Sequence, residues 1–170
     1  MPKPIVFFVT WVDRINRWVG RFAMAIFFVM AAIMLWSTVS RAVFGVPVNW
    51  ALETTQFLLS AYYLLGGAYA MQQGAHVRMD LFYTRLPERG RALLDAVTLL
   101  AVIFFLVVLL WGGVSSTQYA IQYGQKNYSA WSPMLWPVKV AMTTGIFLML
   151  LQVIAQLFRD IGQAAGRPIP

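Results

Sequence analysis

The sequence predicts an all-α integral membrane protein: four transmembrane helices in an antiparallel bundle, preceded by an amphipathic helix at the membrane interface. Three observations predict it. Of the 170 residues, 60% are hydrophobic and 11% charged, whereas a water-soluble domain carries charge on about 25% of its residues. Four apolar runs each reach the about 20 residues that a helix needs to cross about 30 Å of hydrocarbon. The basic residues gather at the ends of those runs, where a membrane protein keeps them.

The elements follow in chain order. The segment leading into the first span, with the amphipathic helix expected at 4–18, places Ile5, Phe8, Val12, Ile15 and Val19 on one helical stripe and Asp13, Arg14, Arg17 and Arg21 on another. That pattern suits a helix lying on an anionic leaflet; the alternative is a longer first helix with a charged end. The short cluster Ile5–Val9, followed by Asp13 and Arg14, does not have the form of a signal peptide. The spans are expected at about 19–43, 50–71, 92–119 and 133–158, with 159–170 as a tail, and the whole chain 1–170 as one membrane domain. Lipid offers no partners to open backbone groups, so the runs must be helical. They lack the period-two alternation of a barrel. The short connections favour antiparallel neighbours. Pro87 with Glu88, and Ser132 before Pro133, read as helix starts. Pro137 is expected to kink the beginning of the fourth helix.

Ten basic residues fall before the first span, between the second and third, and after the fourth; Arg41, Lys126 and Lys139 fall on the other side. The positive-inside rule then puts both termini in the cytoplasm. Trp50, Trp131 and Trp136 mark the outer interface, Trp11 and Trp18 the inner one. The formal charge of +7 thus belongs to membrane orientation, and nucleic acid is not expected as a partner. The sequence has no cysteine, which excludes disulfides, thiolate metal sites and cysteine nucleophiles.

Few residues offer chemistry. Arg41 ends the first span and Glu53 begins the second, so the two are expected to form a structural ion pair clamping those helices. The sharper reading makes Glu53 a coupling acid, but such sites lie at mid-membrane. On the second span Glu53, Gln56, Ser60, Tyr63, Gly67 and Ala70 share one face. Small and polar residues are what packed membrane helices present to one another, and Gln56, Ser60, Tyr63 and Gly67 are the candidate partner interface, with packing inside the bundle as the alternative. Gly74, His76 and Asp80 stand in the second connection. One histidine and one aspartate fall short of a metal site, so a hydrogen-bonded loop corner is expected. Haem would need axial ligands inside the membrane, and no nucleophile triad, phosphate loop or paired-carboxylate site appears. No catalytic residue, metal or cofactor is expected.

Taken in order, Ser40-Arg41-Ala42-Val43-Phe44, Trp50-Ala51-Leu52-Glu53, Gly66-Gly67-Ala68, Gly74-Ala75-His76-Val77-Arg78-Met79-Asp80, Ser132-Pro133 and Trp136-Pro137-Val138-Lys139 resemble the small (Q-type) membrane subunit of tripartite ATP-independent periplasmic (TRAP) transporters. The resemblance runs from about Val19 to Phe158. It implies a bacterial inner-membrane chain that scaffolds a large transport subunit, which imports an organic acid captured by a periplasmic binding protein and is driven by sodium. Membrane lipids would be further neighbours. It carries over Arg41, Glu53, His76 and Asp80 as structural motif positions. The competing readings are a self-sufficient small oligomeric transporter with Glu53 as its coupling acid, and a respiratory anchor subunit.

Overall fold

The computed structural model describes residues 3–73 and 88–164. Among them are four helices: α1 Lys3–Phe44, α2 Asn49–Gln72, α3 Glu88–Gln122 and α4 Trp136–Ala164. The all-α membrane fold expected from composition is the one observed. Three stretches are long and apolar enough to cross a membrane: Pro4–Phe44, Thr98–Gln122 and Trp136–Arg159. Helix α2 is less apolar, because it carries Gln56, Ser60, three tyrosines and two glycines. It lies packed along both α1 and α4, and at 24 residues it measures about 36 Å. It therefore runs through the same depth as its neighbours.

No break separates the expected interfacial segment from the first span. Helix α1 is continuous over 42 residues, and the alternative of a longer first helix describes its backbone. The reason lies in a sustained repeat. Val9, Val12, Asn16, Val19, Ala23, Ile26, Met30, Ile33, Ser37 and Ser40 recur at alternating spacings of three and four, and every one is buried or half-buried. Such a repeat gives a seam along one side of a slightly supercoiled helix. The N-terminal part of the seam docks on α4. Val9 and Val12 pack with Ala155, flanked by Leu151 and Phe158, and the Phe8 and Phe158 rings meet edge to face at 6.3 Å. The apolar stripe thus meets protein where the sequence suggested lipid.

Helix α1 stops at Phe44, and Gly45 follows with φ +67, the left-handed conformation that glycine adopts at no steric cost just past a helix end. Ser40 Oγ donates to the Val46 carbonyl at 3.3 Å, tying the turn back to α1. Helix α4 begins at Trp136, so Pro137 sits in its first turn, where a missing N–H leaves no bond unmade. This corrects the expected kink. Ser132 and Pro133 belong instead to the α3–α4 connection, a narrow loop in which Leu135 N donates to Gln125 O and Asn127 N to Pro133 O, both at 2.9 Å.

The last helix in sequence is the hub. Helix α4 packs against α1, α2 and α3, while α3 packs on α4 with little contact to α1 or α2. Between α2 and α4 the backbones come close. A Cβ on Gly145 would lie 2.7 Å from the Leu64 carbonyl, so only glycine fits. Lipid already satisfies apolar side chains, so contact between membrane helices is gained mainly by such close packing. Leu106, Ile146, Leu150 and Val153 form the shared core of α3 and α4. The outer side of α3 is left bare, with Phe104 and Trp111 more than two-thirds exposed.

Candidate functional site

Three features stand out: a polar clasp near the helix ends on the terminal side, a second cluster on the loop side, and an uncovered face of α2. The clasp joins three helices. Asn16 occupies a seam position of α1 and is fully buried, as is Gln152 of α4. Asn16 Nδ2 donates to Gln152 Oε1 at 2.5 Å, and Gln152 Nε2 donates to Asp13 Oδ1 at 3.2 Å. Arg159 pairs with the other carboxylate oxygen of Asp13, and Gln72 Nε2 of α2 donates to the Asp13 carbonyl at 3.4 Å. Asn16 Oδ1 and Gln72 Oε1 are buried acceptors left without a partner. The Asp13–Arg159 bridge is the only ion pair among the described residues. Sequence reasoning missed this clasp. Its signal was present: Asn16 interrupts an apolar heptad seam, and Gln152 follows the unbroken apolar run from Ile146 to Leu151, where polar groups normally have a partner.

On the loop side Lys139 fastens α3 to α4. Its Nζ donates to Ser116 Oγ at 2.9 Å and to Gln125 Oε1 at 2.8 Å, and Thr117 and Thr143 share a hydrogen bond of 3.0 Å. Arg41 and Glu53 lie at this end but form no ion pair. The physical reason is their facing. The Arg41 side chain is exposed and lines a groove with Asn49 and Leu52. Glu53 is half-buried, with Oε2 enclosed and unpartnered. The expected clamp between helices one and two is therefore absent; the turn bond from Ser40 and the seam hold them together.

Of the four residues expected at a partner interface, the structure separates Gly67 from the rest. A Cβ there would meet Met149 Sδ of α4 at 2.9 Å, so Gly67 packs inside the chain. Gln56 is exposed, Tyr63 is 67% exposed, and Ser60 lies at the edge with its hydroxyl donating to the Gln56 carbonyl. With Leu52 and Leu59, both also exposed, they form an outward stripe at spacings of four, three and four. Gly74, His76 and Asp80 lie outside the described residues. Among the described residues no group of His, Cys, Asp or Glu could hold a metal ion.

Residues 30–163 match the family model described as tripartite ATP-independent periplasmic transporters, DctQ component. The match begins in the middle of α1 and ends within the last turn of α4. The chain is also similar to the C4-dicarboxylate TRAP transporter small permease protein DctQ of Vibrio cholerae serotype O1, at 25% identity over 107 residues. That alignment covers 61% of this chain and 46% of the relative, so the chain spans about half the length of the curated relative it matches.

Proposed function

The chain belongs to the DctQ component family of the tripartite ATP-independent periplasmic transporters, and from that membership we propose that it braces a large membrane subunit during binding-protein-dependent import. The family match over most of the chain is the observation that carries the proposal. The transported compound is an organic acid, in line with the relative named for C4-dicarboxylates, and it is captured outside by a periplasmic binding protein. A sodium gradient drives its entry through the large subunit. The chain sits in the bacterial inner membrane with both termini cytoplasmic, in keeping with the excess of basic residues on that side.

Two physical features support a bracing role. The described helices are fastened to one another by close backbone packing at Gly145 and by hydrogen-bonded clusters at both ends, which suits a part that stays still while another moves. The outward stripe of α2 supplies the contact: Gln56 on an exposed face of a membrane helix is costly unless a partner helix meets it. The competing self-sufficient transporter would use Glu53, whose buried, unpartnered Oε2 is the observation in its favour. Its place in the first turns of α2, near the membrane boundary, counts against it.

Co-expression with its genomic neighbours tests the proposal. A tag on this chain should retain a large polytopic protein, and proteoliposomes containing both, with the secreted binding protein added, should take up substrate under an inward sodium gradient. Uptake by this chain alone, abolished in Glu53→Gln, would establish the competing reading.

A further inference from the structure

At the loop end, α1 and the start of α2 enclose an open groove of about 700 Å³. Along α1 it runs from Met34 through Ser37 and Thr38 to Arg41, a single face covering about 10 Å of helix axis. Val48, Asn49 and Leu52 line it from the start of α2, level with Arg41, and Ala130 lines it from the α3–α4 connection. The groove therefore has a cationic mouth at Arg41, walled by Val48 and Leu52, and leads along α1 past Ser37 and Thr38 to Met34. Trp50, Trp131 and Trp136, all partly exposed at the same end of the molecule, mark the level of the headgroups. Arg41 has no ion-pair partner among the described residues. Helix α2 begins at the mouth, and its N-cap residue Val48 makes no side-chain cap, so its free N–H groups add positive potential there.

We propose that this groove holds an anionic glycerophospholipid of the loop-side leaflet, its phosphate on Arg41 and an acyl chain along Met34 and Leu52. A guanidinium meets phosphate oxygens through two parallel N–H donors. Val48, Leu52 and Met34 have no role for a soluble anion but fit a chain that descends from the headgroup. The inference goes beyond the transport role and stands on the groove alone, so it survives or fails independently of that reading.

Native mass spectrometry of the full chain in a mild non-ionic detergent tests it, with phosphatidylglycerol and phosphatidylcholine of equal chain length titrated in parallel. The wild type should retain one phosphatidylglycerol in preference to phosphatidylcholine. Arg41→Gln should weaken that binding at least about fivefold, Arg41→Lys should keep most of it, and Lys126→Gln should leave it unchanged. Equal retention of the two lipids, or undiminished binding by Arg41→Gln, overturns the proposal. So does displacement of the lipid by millimolar inorganic phosphate, which would make the site one for a soluble anion. If Arg41→Gln does not fold, Thr38→Glu, which brings a negative charge into the groove, must produce the same loss; retained binding in that variant overturns the proposal equally.

Discussion

Asn16 and Gln152 show how a single buried pair holds two helices that meet 136 residues apart in sequence. One bond joins the two amides, Asn16 Nδ2 to Gln152 Oε1, and both side chains are shut off from solvent. Removing Gln152 alone leaves the Asn16 amide buried and unpaired, whereas removing both takes that cost away and leaves Asp13 still held by Arg159. Gln152→Leu should therefore destabilise the folded chain by about 1 kcal/mol, and the double variant Asn16→Leu with Gln152→Leu should recover much of the loss. Reversible unfolding in mixed micelles measures both; equal or greater loss in the double variant would show that the pair is not coupled. This clasp was the least legible part of the sequence. Asp13 read as one member of a charged stripe, because nothing local reveals that α4 returns to cover it. The Arg41–Glu53 pair was suggested by proximity along the chain, but Arg41 is exposed while Glu53 Oε2 is enclosed without a partner.

The helices themselves were legible, because the length of an apolar run and the backbone's need for internal partners leave little freedom. What the runs did not reveal is which helix stands in the middle. That depends on glycine placement. Gly145 brings α4 onto the backbone of α2, while Gly112 of α3 has nothing within 4 Å of where a Cβ would be. The two positions should respond differently to the same chemistry. Gly145→Ala should force α2 away from α4 and sharply lower the amount of folded protein in the membrane. Gly112→Ala should be neutral or should stabilise α3 by up to about 1 kcal/mol through its better helix propensity. Protease protection and thermal denaturation in detergent distinguish the cases, and similar behaviour of the two variants would remove α4 from its central place. The extent of α1 was the other element that composition left open. The break expected at 18 came from a change in charge pattern, but the heptad seam runs straight through it.

At the scale of the whole molecule, the described helices leave the polar-tinged stripe of α2 uncovered, and its test is assembly. Gln56→Ala combined with Tyr63→Ala should lower co-purification of the large subunit several-fold without changing the melting of the isolated chain. Phe104→Ala on the bare side of α3 should leave assembly intact. Loss of assembly from the α3 variant alone would move the contact to that helix. The length of α1 has a consequence of a different kind. Its 42 residues measure about 63 Å, roughly twice the hydrocarbon thickness, and the usual tilts of up to about 40° cannot absorb the difference. The first turns of α1 therefore stand clear of the acyl chains, carrying exposed Arg14, Arg17 and Arg21 at the level of the lipid phosphates. The surplus helix is a depth stop: it fixes how far the rigid unit sinks into the bilayer, and so the height at which any partner must meet it.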